Sequence, residues 1–570
     1  MTASSGSPAR YARFLALVLP LALFAGQAPA KPPPEAAATE LAAAGNQFDT
    51  DQLAAVGIDT AGTLTAAEGA LPVDMWRDTP RSLVDALLPR LPAGTPSPTM
   101  NRLMRRLLLT GAAAPRGDAE PGRLLDERAR MLWRMGDTAG LLKLIAAVPA
   151  DSRSEQLWRL DTEAQLLAGN TTAACETAGI RTDVDPDTFW QQTLGFCQAL
   201  AGDADGASLT LALLVERGSE IQLYKALLEA LINGRATGPK IADPDPLYLA
   251  MLRAAGLAPT MEAAAADDLP ILAAIAEAGT FPEPLRLAAG ERAVAAGLLP
   301  AQENYPHNTR ARSEKPLPPG RGSTGRAEGA APGSTALMHE AIATVNGNRV
   351  ERAAAILEAS RQRGDWLEAT HMVLPWIVSA DPSSGQPALA RTVVPALLVQ
   401  GERARAEAWL DQLAAAAASG DNGAGAALAA LMPLARLARL GRAQSWNPDS
   451  LIEWWQAEKA QPGARLRAAR LLAMLQATGD PVPDSLWHTL LGGPAQMSAI
   501  NLDAAFRVAL VRASKAGKLG ETVLLALVGL GADGPQALGT SSMEVTVDSL
   551  RTAGLPADAR ALALEAVAAR

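Results

Sequence analysis

Three short phrases decide how this chain folds: RMGDTAG at 134–140, LAGNTTA at 167–173 and LAGDADG at 200–206, with a looser copy, LINGRAT, at 231–237. Their glycines, Gly136, Gly169, Gly202 and Gly234, stand 33, 33 and 32 residues apart. In each copy an apolar helical pattern runs into the glycine and a second one leaves shortly after it, which is the signature of stacked helical hairpins. A helix commonly ends on a residue in the left-handed conformation, and glycine adopts that conformation without steric cost. Asp137, Asn170 and Asp203 follow the first three glycines. Their short side-chain oxygens are suited to accept hydrogen bonds from the free amides that open the next helix. Between the glycines the apolar residues keep helical phase, as in Leu157, Leu160, Ala164 and Leu167, or Ile221, Tyr224, Leu228 and Leu231. Each helix therefore has one stripe to bury.

The run from Gln156 to Cys175, QLWRLDTEAQLLAGNTTAAC, resembles the tetratricopeptide repeat (TPR), in which a glycine-aspartate corner is followed five residues after the glycine by a small alanine. Ala174 and Ala207 match that alanine, whereas Leu141 does not; Trp158 matches the aromatic early in the first helix, Gly195 the small residue at the close helix crossing, and Pro186 the proline that closes a repeat. The resemblance covers roughly Leu124 to Gly234. It implies an all-α, TPR-like alpha-solenoid of stacked antiparallel hairpins.

Outward from this core, Met1 to Ala30 has the form of a secretory signal peptide. Arg10 and Arg13 supply the positive end, Phe14 to Ala25 the apolar core, and Ala28-Pro29-Ala30 a small-x-small site, with cleavage expected after Ala30. The apolar core is too short to span a bilayer comfortably, and no other long apolar run suggests a membrane span in the mature chain. Export into the periplasm is the expected location. Residues 31–70, opening on Pro32, Pro33 and Pro34, read as a flexible tether, and 71–300 as the TPR-like array. Residues 301–334 carry many breakers and almost no apolar periodicity, so a disordered linker is expected there. A second helical-repeat array is expected over 335–570, with helix-ending glycines at Gly364, Gly401, Gly441, Gly479, Gly517 and Gly554, separated by 37, 40, 38, 38 and 37 residues.

Composition fits this architecture. Hydrophobic residues make 48% of the chain and aromatics only 4%, which suits closely packed, alanine-rich helices better than a β-sandwich. Removing the leader leaves 49 basic against 60 acidic residues, a net of −11, which argues against general binding to nucleic acid or anionic membranes. Cys175 and Cys197 are the only cysteines. In the hairpin register they fall on two helices that run antiparallel, so a disulfide stapling two repeats and a pair of buried free thiols are both open.

The search for chemistry is mostly negative. His307, His339, His371 and His488 are scattered, and His339-Glu340 lacks the second histidine of a helical zinc site. No Cys/His metal constellation, phosphate loop or nucleophile elbow is present, so neither catalytic nor metal-binding residues nor a cofactor are assigned. Asp267-Asp268 reads as a helix start, and Arg102, Arg105 and Arg106 as a solvated face. Trp454 and Trp455 point about 100° apart on a helix. One of them is therefore a candidate for an exposed binding surface, against a plainer role covering the next repeat. Trp366, Trp376, Trp409 and Trp487 read as wedges between helices.

Two function classes follow. The first is a non-catalytic periplasmic scaffold or adaptor that binds protein partners of the cell envelope through its helical-repeat surface. The alternative is an envelope carbohydrate-active enzyme, because lytic transglycosylases and α/α-toroid lyases are similarly helical. The first of these needs a glutamate in a lysozyme-like setting and the second a tyrosine- and histidine-rich cleft, and neither is visible in the sequence.

Overall fold

The computed structural model describes residues 57–185, 187–217, 221–234, 238–300, 348–382, 387–443, 447–492 and 501–569. The leader, the first part of the tether, the linker at 301–334 and Pro186 lie outside them. Among the described residues the chain forms 24 α-helices packed in sequential pairs, with no strand beyond an isolated bridge between Pro80 and Arg116. The all-α fold of stacked helical hairpins is as expected.

The helices begin with α1 (Arg81–Leu87) and α2 (Pro98–Leu109), followed by the hairpins α3 (Arg123–Arg134) with α4 (Thr138–Ala146), α5 (Glu155–Ala168) with α6 (Thr171–Arg181), and α7 (Thr188–Leu200) with α8 (Ala204–Glu216). Then come α9 (Gln222–Asn233), α10 (Pro246–Ala254), α11 (Leu269–Glu277) and α12 (Glu283–Ala295). Past the linker follow α13 (Arg349–Arg363), α14 (Trp366–Val378), α15 (Pro387–Val399), α16 (Arg403–Ala418), α17 (Asn422–Leu437) and α18 (Ser450–Glu458). The chain closes with α19 (Ala464–Ala477), α20 (Asp484–Leu491), α21 (Ala504–Lys515), α22 (Leu519–Leu530), α23 (Thr540–Thr552) and α24 (Pro556–Ala568).

The corners form as the local chemistry dictates, with two exceptions. All four glycines of the first series have positive φ, as do Gly364, Gly401, Gly479, Gly517 and Gly554. Gly441 does not take that role: α17 is ended by Arg439, at φ 54°, and Gly441 opens a short 3-10 turn instead. Asp137 and Asp203 accept hydrogen bonds from the amides of Gly140 and Gly206, each at 2.9 Å. Asn170 makes no such cap, because its amide donates to Gln165 Oε1 at 2.9 Å.

The two halves of the chain share one core. A continuous set of buried apolar side chains runs from Leu71 and Trp76 through α2 and α3, across α13 to α19, and on to α24. Residues 57–70, in the stretch read as a tether, lie on this core: the buried Asp59 receives Arg81 at 3.3 Å and accepts the Leu125 amide at 3.0 Å. The backbone of Gly520, at the start of α22, donates to Met75 O at 2.8 Å. A side chain there would collide with the Trp76 ring, so this approach of the two chain ends requires glycine.

The C-terminal helix α24 is the hub. It packs on α2, α15, α17, α19 and α23. Apolar and small residues around most of its circumference suit such a central position. Arg470, itself buried, donates to Ala566 O at 2.6 Å, Leu538 O at 2.8 Å and Pro535 O at 2.7 Å, satisfying carbonyls at the end of α24 and in the loop before α23. Glu565 accepts from the Thr99 amide at 2.9 Å and from the Ser97 hydroxyl, two groups at the start of α2. Asp558, two turns earlier, pairs with Arg106 at 2.7 Å and Arg102 at 3.6 Å. Beside this seam the half-buried His371 meets Pro96 O at 2.8 Å.

Burial pushes the Glu565 carboxyl up to about 7, although the hydrogen bonds from Ser97 and Thr99 and the charge of Arg102 act the other way. The folded protein thus keeps a proton that the unfolded chain releases above the ordinary 4.5. This contribution is complete at pH 4.5 and below, and is lost as pH rises through about 7. His371 works in the opposite sense: burial holds it below 6.5, so its contribution is present above 6.5 and lost as pH falls. Removing the carboxyl in Glu565→Ala strands the Ser97 hydroxyl and the Thr99 amide in the core. The expected loss is about 3 kcal/mol in urea denaturation. In Glu565→Gln, by contrast, the stability advantage of wild type over variant should shrink as pH is raised from 4.5 to 7. A pH-independent difference between the two proteins would refute the buried proton.

Candidate functional site

Among the described residues, the hairpins around Gly169 and Gly202 hold the most exposed apolar surface. Helix α7 is the middle of a three-helix layer, with α6 on one flank and α8 on the other. Ala174, Ala207 and Gly195 let these helices approach: both alanines are fully buried, and a side chain at Gly195 would run into the Tyr224 hydroxyl and Thr210. Tyr224 O–H in turn donates to Gln192 O at 2.8 Å, tying α9 to α7. Trp158 lies beneath the guanidinium groups of Arg153 and Arg181, at 4.8 and 6.0 Å from the ring centre.

The two cysteines are joined. Cys175 on α6 and Cys197 on α7 form a disulfide, with Cα atoms 5.6 Å apart. The bond fixes α6 against α7 where apolar contacts are few, since α6 buries only Ala174 and Ala178. Such a bond persists in an oxidising compartment.

Six of the ten large apolar side chains most exposed among the described residues fall between Ile180 and Val215. They are Ile180, Val184, Leu200, Leu209, Leu213 and Val215. Leu209 and Leu213 are one turn apart on the outer face of α8, 64% and 50% exposed, while Ala207, Thr210 and Leu214 point into the layer. Helix α8 packs closely on α7 and only lightly on α9, so among the described residues that outer face is uncovered. The signal was present in the sequence, because 209–215 reads LTLALLV and holds more apolar residues than one buried stripe can use.

The residues singled out from the sequence are placed differently. Trp455 is buried and Trp454 half-buried against the same core, so this pair offers no exposed anchor. Trp366, Trp376 and Trp409 are buried between helices. Arg105 pairs with Asp137 at 2.6 Å, and Arg102 and Arg106 are engaged by Asp558, so the three arginines form no free basic patch. Asp268 caps α11 through the Ile271 amide at 3.2 Å, and Asp267 pairs with Arg292 at 2.7 Å. Among the described residues no three His, Cys, Asp or Glu side chains stand together as a metal site, and no helix is long and apolar enough to cross a membrane. His307 and His339 lie outside the described residues.

Comparison of the chain with family models, with curated proteins and with solved structures finds no match.

The disulfide closes a loop of 22 residues in sequence, which corresponds to about 3 kcal/mol of unfolded-state entropy. Cys175→Ser combined with Cys197→Ser should therefore open the region around 171–217 to limited proteolysis well before the seam at Glu565 is lost. Peptide mapping under non-reducing conditions should recover the two cysteines in one linked fragment.

Proposed function

We propose that this protein is a non-catalytic helical-repeat scaffold or adaptor, acting in the periplasm and binding envelope protein partners through its helical surface. The observation that carries this reading is the concentration of exposed apolar side chains between the end of α6 and the end of α8, with Leu209, Leu213 and Val215 on α8 itself. Scattered single apolar residues are ordinary on a protein surface, whereas several on adjoining helices mark a face suited to a partner. Location is supported by the leader-like start of the chain and by the Cys175–Cys197 bond. A rigid layer stapled by a disulfide presents its side chains with little entropy left to lose on binding, which favours recognition.

A photo-crosslinking residue placed at Leu213 in cells of the source organism should yield a discrete adduct with another envelope protein. The same residue at Leu466, an exposed apolar position on α19, serves as the comparison and should yield none. Failure to obtain any adduct from Leu209, Leu213 or Ile180 would overturn the assignment of this face.

A further inference from the structure

The charges on the α6–α8 layer are arranged around its apolar residues. Between Thr171 and Arg217 there are seven acidic residues and two arginines, a net of −5. One of those arginines, Arg181, is engaged by Glu155. On α8, Asp205, Leu209, Leu213 and Glu216 follow one another at four-, four- and three-residue steps, so they form a single stripe along the helix, and all four are exposed. On α6 and just past its end, Glu176, Ile180 and Asp183 repeat the order of acid, apolar residue and acid, again all exposed. Glu176, Asp183, Asp205 and Glu216 form no ion pair with another described residue. Short connections on either side of α7 make α6 and α8 run parallel, so the two stripes point the same way.

We propose that this face receives a cationic amphipathic helix of a partner protein. The inference rests on the scaffold reading above and names the chemistry of the partner. Leucines or similar side chains of the incoming helix cover Leu209 and Leu213 on α8, and lysines or arginines on both sides of them meet Asp205 and Glu216. The α8 stripe is about 16 Å long, so the complementary segment needs about three helical turns. The same carboxylates repel an anionic lipid surface, which separates this face from a membrane-binding one. Nothing acidic in a partner fits here, because unpaired like charges would be brought together.

The test uses the purified, disulfide-bonded protein and two labelled helical peptides of about 18 residues, identical in their leucines. One carries lysine and the other glutamate at the remaining charged positions. Fluorescence anisotropy should show the lysine peptide binding at least about tenfold more tightly, with that advantage falling as salt is raised from about 50 to 500 mM. Leu209→Ser with Leu213→Ser should weaken binding about tenfold or more, and Leu466→Ser should leave it unchanged. Asp205→Asn with Glu216→Gln should reduce the salt dependence while leaving the leucine contribution intact. Circular dichroism and intact disulfide mapping establish that each variant is folded. Equal binding of both peptides, or no effect of the leucine substitutions, overturns the proposal. So does a concentration-dependent dimer dispersed by Leu213→Ser, which would give the face to a second copy. A gain in peptide affinity on deleting 301–334 would overturn it too, by giving the face to the chain's own linker. An adduct at Leu213 in cells together with no charge preference in the peptides removes this inference and leaves the scaffold reading standing.

Discussion

Asp558 and Glu565 lie seven residues apart on the last helix, about two turns, and so on one face of it. That face looks onto α2, nearly the first helix of the described chain. Glu565 takes the amide and hydroxyl that open α2, while Asp558 takes the two arginines further along it. A helix start offers free N–H groups and a partial positive charge, so a carboxylate there is stabilised even as burial penalises its charge. Arg470 completes the arrangement by engaging carbonyls at the end of α24 and in the loop before α23. Together with the close approach of Gly520 to Met75 and Trp76, these contacts join the early helices to the late ones.

Closure changes what the repeats are worth. In an open solenoid each hairpin touches only its neighbours, and stability is a sum of local terms. Here α24 is surrounded by helices drawn from both halves, so the core beneath it is lost or kept as a whole. The α6–α8 layer stands outside that arrangement, with its own smaller cores and a disulfide in place of broad apolar contact. The centre is thus enclosed by helices of both halves, whereas among the described residues the outer face of α8 is exposed.

Much of this was legible from spacing alone. The glycine corners and the phase of the apolar residues in α5 and α9 follow from local rules that act over a few residues. The pairing of Cys175 with Cys197 stood open in the sequence, because register places the two side chains together but does not oxidise them. Gly441 shows where local rules give way: a left-handed corner was required near it, and Arg439 supplies that corner at a cost of about a kcal/mol. Trp454 and Trp455 show the same limit in another form. Their helical phase separates them by about 100°, yet only the neighbouring helices decide whether either direction faces water.

The sequence by itself determined that the chain is helical, that its helices come in hairpins, and that two cysteines fall within reach of one another. These are short-range consequences of backbone geometry and side-chain periodicity. Only the tertiary structure decided that α24 sits at the centre, that Glu565 and Ser97 meet across 468 residues of chain, and that the outer stripe of α8 is exposed among the described residues. Burial is a property of what surrounds a residue, and a hydrophobic stripe carries the same letters whether another helix covers it or water does.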